Sequence, residues 1–112
     1  MRKYQLGEFE EIVMLTIAVL HKKAYGVAIK NEIQTRLSRK VSMGAMHSAL
    51  VRLENKGFIQ STEGDSSEDR MGRPKKYYEV TAFGSKAIAH AKETRDSLWR
   101  SIPTVALKLK TR

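Results

Sequence analysis

Between Ser42 and Gly57 the chain reads SMGAMHSALVRLENKG. Met46, Leu50 and Leu53 fall at i, i+4 and i+7, which places them on one face of a helix. The other side carries Gly44, His47, Ser48, Val51 and Arg52. Small side chains allow close approach to another surface, and an imidazole or guanidinium can donate to bases or phosphates. With Ser42 at its start, this face suits contact with a nucleic-acid groove. Taken alone, the stretch fits an amphipathic helix with a tolerant polar face equally well.

Two further stretches could bind an anion. Arg70, Arg73, Lys75 and Lys76 lie within seven positions, with Gly72 and Pro74 among them. A basic tip of that kind can follow a phosphate backbone or place an Arg in a minor groove. Asp65, Glu68 and Asp69 break the basic run and are expected to turn away from the anion. The third stretch is a helix start at Tyr25, Gly26 and Val27, with Lys22, Lys23 and Lys30 close by. Its free amides form an anion site of the helix N-terminus kind, a feature any helix start shares.

The bulk properties agree with such a partner. In 112 residues there are 21 Lys and Arg against 12 Asp and Glu, a formal charge of +9. That balance points to a polyanion, nucleic acid before an anionic membrane surface. The chain has no Cys, which excludes disulfides and Cys-ligated zinc. His21, His47 and His90 have no partners at metal-ligand spacing, and no phosphate-binding Gly loop or Gly-x-Ser-x-Gly elbow occurs. These patterns speak against an enzyme and imply no cofactor. Met1–Gly7 lacks the character of a signal peptide, and the apolar run Ile12–Leu20 is too short to span a membrane. A cytoplasmic, nucleoid-associated protein is expected.

The elements that would position these residues follow from periodicity and caps. A first helix is expected from Glu8 to His21, with Glu8, Glu10 and Glu11 where the helix dipole favours negative charge. It is apolar over more than one face, so burial against a partner chain as well as its own core is expected. Tyr25–Leu37 reads as a second helix, Arg39–Val41 as a link or short strand, and Ser42 as the cap of a third helix stopped by Gly57. Phe58–Glu63 and Lys76–Thr81 have strand character on either side of a polar loop. Thr81 can cap a last helix from Ala82 to about Ile102, closed by Pro103. The expected fold is mostly α with a small β-hairpin, a winged helix-turn-helix plus a C-terminal dimerisation helix. Residues 1–81 would form the DNA-binding domain, 82–103 the dimerisation helix and 104–112 a basic tail that frays.

Several stretches together resemble the PadR family of bacterial transcriptional regulators. They are LGEFEEIVMLTIA, AYGVAIKNEI, SMGAMHSALVRLENKGFI and GRPKKYYEVTAFG, spanning Leu6 to Gly84 in the family's order. The resemblance implies a homodimeric winged-helix DNA-binding protein, usually a repressor, of the branch with a single C-terminal helix. Where the family pattern commonly has Tyr in the third helix, as in GALY, this chain has His47. That Tyr is associated with operator contact, which implies the same role for His47.

The combined reading is a dimeric repressor of a pseudo-palindromic, double-stranded operator. Ser42, Gly44, His47, Ser48 and Arg52 would meet the major groove. Arg70, Arg73, Lys75 and Lys76 would form the wing, and Tyr25, Gly26 and Lys30 would assist at the start of the second helix. Phe9, Ile12, Val13, Ala87, Ala91, Leu98, Trp99 and Ile102 are candidates for the dimer interface. A pair of Trp99 side chains could border a cavity at the dimer axis and stack a small aromatic effector. The alternatives are a small basic RNA-binding protein, with Tyr77 or Tyr78 free for stacking, and a winged-helix module that binds protein.

Overall fold

Local signals set most of the elements. The computed structural model describes residues 3–66 and 74–108, which form four α-helices and one antiparallel hairpin. α1 (Glu8–Leu20) begins with one half of a capping box: the Glu10 side chain accepts from the Gly7 amide at 2.9 Å. A short 3-10 turn, His21–Lys23, leads into α2 (Gly26–Leu37), with Tyr25 as its N-cap. The helix-turn-helix link at Arg39–Val41 belongs to no helix or strand, where a short strand was one expectation. Val41 instead donates its amide to the Gln34 side chain at 3.0 Å, which meets its backbone need within α2.

α3 (Met43–Asn55) starts where expected, with the Ala45 amide donating to the Ser42 hydroxyl at 3.0 Å. It ends in a Schellman turn: Phe58 donates to the Leu53 carbonyl and Gly57 to that of Glu54, both at 3.0 Å. Gly57 has φ +80°, a conformation that glycine adopts without strain. The expected stop at Gly57 therefore has a backbone cause.

β1 (Ile59–Ser66) and β2 (Pro74–Val80) pair from Ile59 with Val80 to Ser66 with Pro74, with a register shift between Glu63 and Ser66. Both strands reach farther into the polar segment than its composition suggests. Beyond the shift, Ser66 still pairs with Pro74 across the two strands. The Tyr25 segment joins the edge of β2, with Tyr78 donating its amide to the Ala24 carbonyl at 2.8 Å.

α4 (Ala82–Ser101) is capped by Thr81, whose hydroxyl accepts from the Gly84 amide at 2.9 Å. After Pro103 a 3-10 turn, Thr104–Ala106, occupies the start of the expected tail, and residues 109–112 lie outside the described ones. The core is one cluster in which Val13, Met14 and Ile17 of α1 meet Ile29 and Ile33 of α2, Met46 and Leu53 of α3, and Phe58. It fixes α3 against α1 and α2 and leaves its opposite face to solvent. This order, three helices then a hairpin then a helix, is consistent with the winged-helix fold.

Candidate nucleic-acid interface

The exposed face of α3 is built by what its other face buries. Met46, Ala49, Leu50 and Leu53 are enclosed in the core, which turns Gly44, His47, Ser48, Val51 and Arg52 outward. Ser42 is exposed as well, its hydroxyl occupied by the helix cap.

Three segments far apart in sequence converge beside this face. His47, Met43 and Leu50 of α3, Tyr25, Gly26 and Val27 at the start of α2, and Lys76 and Tyr78 of β2 line one crevice of about 230 Å3. Lys75 extends over the Tyr25 ring, its Nζ 4.2 Å from the ring centre, and Tyr77 meets the same ring edge-on at 5.6 Å. The Lys75 charge is thus held by a cation–π contact on Tyr25, a residue of the crevice wall. The free amides of the α2 start lie beside the crevice, so cationic side chains and helix-end dipole act in one place. Tyr78 is buried at the crevice floor. Burial pushes its phenol above the ordinary value, and the nearby negative Glu54 adds to the shift, so the hydroxyl stays protonated.

A second groove of about 440 Å3 shares Tyr25 and Tyr78 with the first. His21, Lys22 and Lys23 face Thr62, Tyr77 and Glu79 across it, which extends the cationic border around the hairpin.

Arg52 has a second engagement. Its Nε donates to Glu10 at 3.0 Å, and Lys56 donates to the other Glu10 oxygen at 2.8 Å. Burial alone would push the Glu10 carboxyl up. The hydrogen bonds from Lys56, the Gly7 amide and Arg52 outweigh it and hold the group below the usual carboxylate value. The Arg52 side chain is still 54% exposed, with its remaining donors turned to solvent.

The other sequence-derived candidates fall in three places. Lys30 is half-buried on α2, apart from the crevice lining, and Arg70 and Arg73 lie outside the described residues. Among the dimer candidates Phe9, Ile12, Ala91 and Ile102 are half-buried, while Leu98 and Trp99 are 65% and 63% exposed; Phe9 lies beside the start of α3, lining a hollow with Arg39, Val41, Ser42 and Ala45. Val13 and Ala87 have no exposed surface and pack inside the chain, so they present nothing to a second copy. Trp99 lines a small hollow with Ile102, Pro103, Thr104 and Leu107 where the chain folds back after α4. Met43 was not anticipated as a lining residue, and Val27 was anticipated for its backbone amide and not for its side chain. Their apolar character gave no signal for a polar partner, and the α2–α3 crossing alone brings them there.

A helix-turn-helix with a cationic hairpin beside its second helix is the class of protein this arrangement defines. Residues 14–90 match the family described as Transcriptional regulator PadR-like family, and the chain belongs to it. The chain is therefore a PadR-family transcriptional regulator, a family whose activity is regulation through DNA binding. It is similar to a PadR-like transcription factor from Bacteroides fragilis, at 26% identity and TM-score 0.69, with 83% of this chain and 84% of that one covered. A PadR family regulator from Clostridium difficile is similar at 29% identity and TM-score 0.63, covering 82% and 92%. The complex structure of hsRosR-S4 is similar at 25% identity and TM-score 0.68, covering 90% and 80%. A protein of Lysinibacillus sphaericus is 31% identical over 85 residues, 74% of this chain and 73% of its own. No helix among the described residues is long and apolar enough to cross a membrane.

Proposed function

We propose that the protein is a homodimeric repressor that reads a pseudo-palindromic operator in the cytoplasm. The observation that carries this reading is the convergence of His47, the Tyr25–Gly26 helix start and Lys76 on one crevice beside the exposed face of α3. In this reading Ser42, Gly44, His47, Ser48 and Arg52 enter the major groove. Lys75 and Lys76, with Arg70 and Arg73, lie on the flanking phosphates or minor groove, while Tyr25, Gly26 and Lys30 border the backbone. The groove residues supply sequence preference, and the wing supplies affinity that depends on salt.

Dimerisation uses apolar surface on α1 and α4. Leu15 and Val19 of α1 and Leu98 and Trp99 of α4 are large apolar side chains left in solvent, a cost that a second copy of the chain removes. Phe9, Ile12, Ala91 and Ile102 border that surface, and Val13 and Ala87 back it from within. Two-fold symmetry then sets two α3 helices about 34–36 Å apart, in successive major grooves. A dimer covering that length of duplex excludes other proteins from it, which is the physical basis of repression. A planar aromatic effector stacked between the two Trp99 side chains would release DNA if it favoured a different dimer geometry.

A gel shift at near-physiological salt with duplex DNA and structured RNA tests the nucleic-acid reading. Duplex DNA is expected to bind more tightly, with affinity falling steeply as salt rises. Preference for RNA would contradict it, and absence of any DNA affinity at low salt would favour a protein-binding module.

A further inference from the structure

α4 leaves the body of the domain soon after it starts. Thr81 donates its hydroxyl to the Gly57 carbonyl at 2.7 Å and its amide to the Phe58 carbonyl at 3.0 Å. Gly84 then passes so close to Phe58 that a Cβ there would overlap the carbonyl oxygen. The helix buries Gly84 and Ala87, and its later residues are half-buried or exposed. A helix held at its base alone can swing, and a small tilt there becomes a large displacement at its far end.

A second hold lies farther out. Arg95 is about 16 Å along the axis from Gly84, and its guanidinium grips Glu11 of α1 with both prongs. Nη1 donates to Oε2 at 2.8 Å, and Nη2 lies 2.6 Å from Oε1. Glu11 is buried, so its carboxylate depends on a charge-assisted partner. The planar fork of Arg fixes direction as well as distance. The neighbouring Glu10 pairs instead with Arg52 of α3 and with Lys56, which caps its end. Two adjacent glutamates in the first turn of α1 thus tie α3 on one side and α4 on the other.

We infer that the Glu11–Arg95 pair is a strut that sets the angle of α4 to the DNA-reading body, and thereby the half-site spacing the dimer accepts. The inference rests on the reading of α4 as part of the dimer contact. It makes Arg95 a positioning residue for specificity, acting through geometry at a distance from the duplex. Adding a base pair between half-sites shifts one by about 3.4 Å and turns it by about 35°. A rigid strut makes that change costly, while a freed α4 absorbs it.

The test uses the full chain and a selected operator whose half-sites are moved apart or together by one base pair. Wild type, Arg95→Gln, Glu11→Gln and the double variant are compared with Lys92→Gln, which removes an equal charge from a pair made within α4. Wild type and Lys92→Gln are expected to lose about tenfold in affinity on a shifted spacing, against about threefold or less for Arg95→Gln. Glu11→Gln and the double variant should match Arg95→Gln, as members of one pair. An Arg95→Gln protein that stays folded and dimeric, yet keeps the wild-type spacing penalty, overturns the strut. Arg95 is 62% exposed, so this variant carries the test even if Glu11→Gln fails to fold. A monomeric wild type overturns the dimeric reading and the strut with it, whereas a dimeric wild type indifferent to spacing overturns the strut alone; both are recognised in the wild-type measurements.

Discussion

At the residue scale, His47 and Lys76 share a crevice and are assigned different work. His47 projects from the exposed face of α3 with a ring that can donate to a base edge or a phosphate. Lys76 is an exposed cation on β2, suited to phosphate whatever the sequence. His47→Ala is expected to weaken operator binding by about 1–3 kcal/mol and random duplex far less. Lys76→Ala should weaken both alike and flatten the slope of log K against log salt by about 0.9. Equilibrium titrations on both duplexes at several salt concentrations separate the two. Equal loss on both duplexes for His47→Ala would make it a backbone contact, and no loss would remove it from the interface. Arg52 is harder to assign to one role, since its Nε is engaged by Glu10 while its outer donors face solvent.

At the element scale, the first turn of α1 does more than start a helix. Glu10 caps α1 through the Gly7 amide and holds α3 through Arg52 and Lys56. Its folded pKa lies below the ordinary value. Its contribution to stability is therefore complete above the unfolded pKa, near 4.3, and is lost as pH falls through the folded value. Glu10→Gln is expected to cost about 1–2 kcal/mol at neutral pH, because both cations regain water on the exposed side. The deficit should shrink as pH drops below about 4. Urea unfolding across pH measures it, and a deficit unchanged from pH 7 to pH 3 would contradict the assignment.

The same turn shows where sequence reading stops. The dipole account of Glu8, Glu10 and Glu11 is local and sufficient, so nothing in the sequence asks for more. Yet Glu10 and Glu11 are buried, and their partners lie 42, 46 and 84 positions away. Such pairings come from the packing of α1 against α3 and α4, which no local pattern encodes. Ser42, Gly57 and Thr81 were legible because a cap is made within a few residues of itself. The extra length of β1 and β2 was not, because Ser66 and Pro74 pair across the strands against their propensity. The candidate site was legible as three separate stretches. Their meeting in one crevice, with Met43 and Val27 between them, required the fold.

At the scale of the whole molecule, charge and apolar surface divide the labour. A net charge of +9 draws the chain to any duplex, so affinity alone says little about regulation. What would distinguish the proposed repressor from a generic basic protein is symmetry, for which the exposed Leu15, Val19, Leu98 and Trp99 are the proposed surface. Selection of bound duplexes from a random pool, at near-physiological salt, tests this most directly. A dimer with α3 in successive major grooves should enrich inverted repeats whose half-site centres lie about 10–10.5 base pairs apart. Enrichment of a single asymmetric motif, or of no motif at all, would contradict it.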